Sequence, residues 1–252
     1  MSKIYDALQI AHGERLTAAK NQKDAPTVFL PPLVTQDSQS SFPRLYQNSE
    51  LLALSQNIAA RLPDPNKNVI QFIGSRRGEG TSTLVRELAM ASSQQGNKPV
   101  LLIEADHLSP CQYQAFGVKS KPPVDQLLEG NHNLDGVISQ VGELNLFLAT
   151  LSSKIQSSLA RRSFFGPTDM WKAVRDQFSL ILIDSSPASA TADSFAICGT
   201  VDGIVLVVEA EKTRSVVANN VKDQILMREG NLLGIVFTKQ RLYIPECLYK
   251  LM

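Results

Sequence analysis

From residue 68 onward the chain alternates short apolar runs with amphipathic stretches. The apolar runs predict strands at 69–73, 100–104, 144–149, 180–183, 204–208 and 232–237. Three of them are unbroken: Val100-Leu101-Leu102-Ile103, Leu180-Ile181-Leu182-Ile183 and Ile204-Val205-Leu206-Val207-Val208. Strands apolar on both faces belong in a sheet covered by helices on both sides. The intervening stretches predict helices at about 82–95, 123–129, 167–178, 192–199 and 214–229. Strand and helix in alternation predict an α/β fold with a doubly wound, mainly parallel sheet.

The pattern changes upstream. Ser2 is a candidate N-cap for Ile4, Tyr5, Leu8 and Ala11 at helical spacing, which predicts an amphipathic helix within residues 1–20. Residues 21–48 are rich in Pro, Gln, Ser and Asn, with Pro31 beside Pro32, and read as a flexible linker. Leu51, Leu52, Leu54, Ile58 and Leu62 predict a helix at 49–62 that Pro63 and Pro65 end. The expected organisation is one α/β domain over 49–241, preceded by the helix and linker and followed by a tail at 242–252. No internal repeat is visible.

Composition narrows the functional classes. A chain of 252 residues with 43% hydrophobic and 19% charged content suits a globular protein. A net charge of +1 gives no global attraction to nucleic acid. No apolar run approaches the roughly 18 to 20 residues of a membrane helix, and no signal peptide is expected. Cys111, Cys198 and Cys247 are far apart, and His12, His107 and His132 are scattered, so no metal-ligand spacing appears.

The candidate chemistry lies after the first predicted strand. Residues 74 to 83 read Gly-Ser-Arg-Arg-Gly-Glu-Gly-Thr-Ser-Thr. Strand, glycine loop and helix in that order make a phosphate-binding P-loop. Against G-x-x-x-x-G-K-[ST], Ser75 stands at the first glycine, Gly80 matches, Thr81 replaces lysine, and Ser82 matches the hydroxyl that holds magnesium. Gly78 and Gly80 let the backbone turn tightly against an anion. The helix N-terminus behind them adds unpaired N–H groups. Loss of lysine removes one point charge and leaves these backbone donors. Arg76 and Arg77 are either a relocated cation or a solvated pair beside the loop.

Two further strands end in carboxylates. Val-Leu-Leu-Ile-Glu-Ala-Asp ends in Glu104 and Asp106, and Leu-Ile-Leu-Ile-Asp-Ser-Ser-Pro contains Asp184. Ligands bind at the carboxyl edge of such sheets. Asp184 there suits ordering of magnesium or of an attacking water. Each acid alone could equally be a helix cap.

Taken together, these motifs resemble the kinase domain of bacterial tyrosine kinases (BY-kinases), within the MinD/ParA-like class of P-loop NTPases. The family's loop is similar to residues 78–83, with lysine at 81. Its D-x-D-x-R motif maps onto Glu104, Asp106 and Leu108, and its D-x-x-P motif onto Asp184 and Pro187. Residues 2–8 and 239–245 resemble the opening and tail of exopolysaccharide-associated members. The departures are Thr81, Glu104 and Leu108. The helix that in the family carries E-x-x-R-x-x-R for ring assembly here has Glu50, Ala53 and Gln56, or in the neighbouring register Ser49, Leu52 and Ser55. The tyrosine cluster is reduced to Tyr243 and Tyr249.

The resemblance implies ATP or ADP with Mg²⁺, held weakly or not at all. The phosphates would lie along Ser75, Arg76, Arg77, Gly78, Glu79, Gly80, Thr81, Ser82 and Thr83. Ser82, Asp106 and Asp184 would hold the metal, and Asp106 and Asp184 would be catalytic if the protein is active. The implied role is a degenerate, pseudokinase-like regulatory or scaffolding subunit of capsule or exopolysaccharide synthesis. It would be cytoplasmic, peripheral at the inner membrane through a chain-length (polysaccharide co-polymerase) partner, with homo-oligomerisation left open. Two alternatives stand beside it: an active tyrosine autokinase or ATPase with Arg76 or Arg77 replacing the lysine, and a ParA/MinD-like positioning ATPase.

Overall fold

A computed structural model describes residues 49–64, 66–95, 99–129, 133–152, 171 and 174–240. The helix expected in 1–20, the linker at 21–48 and the tail at 242–252 lie outside the described residues.

A helix, α1 (Ser49–Arg61), precedes the first strand, β1 (Val69–Gly74). The glycine loop then leads into α2 (Thr81–Gln95), followed by β2 (Val100–Ala105) and the short helix α3 (Gln112–Phe116). Next come a 3₁₀ turn (Val124–Glu129), α4 (Leu134–Val137), β3 (Ser139–Gln140) and β4 (Leu146–Thr150). The chain continues through β5 (Leu180–Ser185), a second 3₁₀ turn (Ala192–Phe195), β6 (Gly203–Glu209), α5 (Ser215–Leu226) and β7 (Leu232–Thr238).

The seven strands form one sheet in the order β3-β4-β2-β5-β1-β6-β7. Every pairing is parallel except β3 with β4. The fold is thus a doubly wound, mainly parallel α/β sheet.

Alternation along the strands divides the core in two. Val69, Ile73, Leu101, Ile103, Ile181 and Ile183 pack on one face with Trp171, Val174 and Phe178. Ile70, Phe72, Val100, Leu102, Leu146 and Leu182 pack on the other, under Leu84, Val85 and Leu88 of α2 and Leu51, Leu54 and Ile58 of α1. Burial on both faces accounts for the unbroken apolar runs. Gln71 is the buried polar residue within β1, and its Nε2 donates to Ser185 Oγ at 2.9 Å and to the Ser194 carbonyl at 2.6 Å.

Several boundaries differ from those the sequence predicts. The helix expected at 123–129 is a 3₁₀ turn. The one expected at 192–199 is a four-residue 3₁₀ turn, capped by Thr191, whose hydroxyl accepts from Asp193 N–H. Gln71 takes the Ser194 carbonyl there, and Cys198 N–H turns to Phe195 instead of extending an α-helical ladder. The strand expected from 144 begins at Leu146, because Leu144 N–H closes a turn onto Val141. That turn also creates β3, a strand too short to leave a periodic signal. The helix expected to reach 229 ends at Leu226, and Glu229 has a positive φ of 59°. Of the helix expected at 167–178, only part falls among the described residues.

Candidate phosphate site at the strand ends

β1 sits between β5 and β6, so the loop that follows it emerges at the centre of the carboxyl edge. Glu104 of β2 and Asp184 of β5 are register partners on adjoining strands. Topology thus brings the loop and both strand-end acids to one edge, where doubly wound folds bind ligands.

The loop is held from the inside by Glu79, which is 2% exposed. Its Oε1 accepts from Ser75 Oγ at 2.6 Å and from Thr213 Oγ1 at 2.5 Å, and its Oε2 accepts from Arg76 N–H at 2.9 Å. The Glu79 carbonyl accepts from Thr238 Oγ1 at the end of β7. Lys239 donates its ammonium to the Gly78 carbonyl at 2.5 Å and lies 3.6 Å from the Glu209 carboxylate. Ser75 and Glu79 were expected among the phosphate contacts. Their side chains turn into the body and fix the loop's shape.

The backbone is arranged for an anion. Gly78 and Gly80 both have φ of 86°, the left-handed region that glycine enters without strain. Among the described residues, the N–H groups of Gly80, Thr81, Ser82 and Thr83 have no protein acceptor. Four donors at the start of the fifteen-residue α2 make a ready anion cradle.

Charge is what the cradle lacks. Thr81 is buried, and a Cβ built on Gly74 would lie 2.5 Å from its hydroxyl oxygen. Its side chain therefore folds back over the end of β1, into space only glycine leaves open. Arg76 and Arg77 are both exposed. Among the described residues, Lys239 is a cation in direct contact with the loop, and it binds a carbonyl. Hydrophobic periodicity could not reveal this contact. The β1-β6-β7 strand order does, because it returns the end of β7 to the loop.

The acidic side is organised differently. The Glu104 carboxylate caps the start of α3, accepting from Cys111 N–H and from Gln112 N–H at 2.6 Å. Glutamate has one methylene more than aspartate and spends that reach on α3. Asp106 Oδ1 accepts from Leu108 N–H at 3.0 Å, Ser109 N–H at 3.2 Å and Ser186 Oγ at 2.7 Å, which ties the turn after β2 to β5. Leu108, at the position of the motif's arginine, is 58% exposed.

Asp184 is fully buried. Burial raises its pKa to about 6; the Gln112 hydrogen bond and the nearby Ser82 hydroxyl pull it down, while the Asp106 and Glu104 charges push it up. Gln112 Nε2 donates to Asp184 Oδ2 at 2.7 Å and to the Ser82 carbonyl at 2.9 Å. Asp184 Oδ1 has no protein partner. The donor set fits a hard cation on one edge, where the Ser82 hydroxyl and the orphaned Oδ1 are oxygen ligands of the right kind. Gln112, which motif spacing did not single out, fills the other edge.

No protein-family model matches the chain. Its curated relatives are bacterial tyrosine-protein kinases. It is 25% identical over 211 residues to the tyrosine-protein kinase YwqD of Bacillus subtilis, covering 79% of this chain and 84% of that protein. It is 27% identical over 175 residues to the tyrosine-protein kinase CpsD of Streptococcus agalactiae, covering 68% and 75%. Among solved structures, the kinase domain of the Escherichia coli tyrosine kinase ETK superposes with a TM-score of 0.71 at 16% identity, over 86% of this chain and 93% of that one. The septum site-determining protein MinD of Pyrococcus horikoshii, solved with Mg-ADP, gives 0.55 at 18% identity over 73% and 77%. At these identities the structural likeness establishes the fold alone. Among the described residues no helix is long and apolar enough to cross a membrane.

Proposed function

We propose that this chain, whose curated relatives are bacterial tyrosine-protein kinases, is a nucleotide-holding regulatory or scaffolding protein of capsule or exopolysaccharide synthesis with phosphoryl transfer largely lost. The observation that carries this reading is Thr81. It stands where the loop lysine belongs, and its short hydroxyl packs against Gly74 and carries no charge. Backbone donors remain to bind phosphate, and the charge that would stabilise the transferring group is gone.

The N–H groups from Gly80 to Thr83 would hold the phosphates, with Ser82 and Asp184 on the cation side. Magnesium, when bound, supplies neutralisation of phosphate charge. Asp106 would sit beside an incoming hydroxyl, but its Oδ1 already accepts three donors. Arg76 and Arg77 are exposed, which favours the degenerate reading over an active kinase with a relocated arginine. In this proposal the 49–241 unit works at the cytoplasmic face of the inner membrane beside a co-polymerase protein.

The test is incubation of the purified full chain with labelled ATP and Mg²⁺, followed by phosphotyrosine analysis. The expected result is ADP binding with no phosphate transferred to Tyr243 or Tyr249. Tight Mg-ATP binding together with tyrosine autophosphorylation would overturn the proposal.

A further inference from the structure

Gln112 is the first residue of α3 and is fully buried. Its side-chain amide makes three hydrogen bonds to two elements of the site. Nε2 donates to Asp184 Oδ2 at 2.7 Å on β5 and to the Ser82 carbonyl at 2.9 Å on α2. Oε1 accepts from Arg86 Nε at 2.9 Å, one turn further along α2. A carboxylate and a carbonyl only accept, and a guanidinium only donates, so these partners leave the amide one orientation. The residue's own N–H is anchored on Glu104 at 2.6 Å. Every polar atom of the side chain is thus satisfied in a buried place. Withdrawing it would strand two N–H donors and the acceptor oxygen.

Asp184 meets two different environments. Oδ1 is buried with no protein partner, and Oδ2 holds the amide. A carboxylate that binds a hydrated cation receives hydrogen bonds from the cation's waters. Here an amide N–H already delivers that bond to Oδ2, from a group that carries no positive charge.

We infer that Gln112 is a cation-gating residue: its amide stands in for the metal-bound water at Asp184 Oδ2 and makes the phosphate cradle largely independent of divalent metal. Its consequence for nucleotide rests on the phosphate-cradle reading. Its effect on the metal itself does not. Gln112 acts by positioning, through Asp184 and Ser82, and need not touch phosphate.

The experiment uses Mn²⁺ alone as the probe, titrated into the full chain and followed by electron paramagnetic resonance. Gln112→Met keeps the length of the side chain and removes its donors. Gln112→Glu keeps an acceptor for Arg86 and exchanges the donor for a ligand oxygen. The expected result is weak Mn²⁺ binding by the wild type and at least tenfold tighter binding by either variant. Adding Asp184→Asn to either one should abolish the gain. If Gln112→Met does not fold, Gln112→Leu, which also removes the donors without adding a ligand, decides. Binding by the folded variants within twofold of the wild type would overturn the inference. A parallel ADP titration in EDTA separates the two claims. Absence of ADP binding there sinks the cradle reading, and the Mn²⁺ comparison still decides the role of Gln112.

Discussion

Two buried carboxylates, Glu79 and Asp184, flank the same loop and are treated in opposite ways. Glu79 accepts three hydrogen bonds, from Ser75, Arg76 and Thr213, and shapes the loop from within. Asp184 keeps one oxygen without a protein partner and gives the other to an amide. Burial of a charge is tolerated when donors surround it and costly when they do not. The loop side is therefore built to keep its geometry. The cation side carries a standing electrostatic cost, of the kind expected where a ligand completes a site. On the proposed reading, the loop keeps the shape for holding phosphate while Thr81 leaves out the charge that would act on it.

The contrast can be broken most severely at Glu79. Glu79→Ala leaves the Ser75 and Thr213 hydroxyls and the Arg76 N–H without their acceptor. It is expected to lower stability by about 3 kcal/mol, read as a shift in the urea midpoint with little change in slope. A change below about 0.5 kcal/mol would mean that the loop is held chiefly by Thr238 and Lys239.

A second buried acid sharpens the other side of the contrast. Glu87 of α2 is 9% exposed, and burial raises its pKa to about 7 against the neighbouring Arg86 charge, which lowers it. An acid with a raised folded-state pKa binds more protons folded than unfolded. Stability therefore falls as pH rises from about 4.5 to about 7 and stays reduced above. Glu87→Gln should be more stable than the wild type by about 2 kcal/mol at pH 8 and nearly equal to it at pH 4. Thermal unfolding at the two pH values checks this. Equal differences at both would show that Glu87 is solvated in the native state.

How much of this was legible in the sequence varies with the kind of residue. The unbroken runs at β2, β5 and β6 announced a sheet buried on both faces, because a strand with no polar face has only one place to go. The loop was legible because glycines at 78 and 80 between a strand and a helix encode a backbone shape. Long-range polar partners were not. Gln112 lies 72 positions from Asp184, and Thr238 lies 159 from Glu79, and no spacing rule joins them. Glu104 was legible as a departure from the motif's aspartate or as a helix cap, and its extra methylene reaches the N–H groups that open α3. The 3₁₀ turn at Ala192–Phe195 looked helical because its diversion by Gln71 comes from another element.

The most direct test of the central claim is a titration with ADP and ATP, with and without Mg²⁺, comparing the wild type with Thr81→Lys. A lysine ammonium on the phosphates should tighten binding about 10- to 30-fold, the worth of a charge-assisted hydrogen bond. Arg76→Ala and Arg77→Ala, the smallest effects expected, should stay within twofold of the wild type. Weak wild-type binding that Mg²⁺ barely improves, with a clear gain in the lysine variant, is expected. Equal, tight binding by both proteins would contradict it.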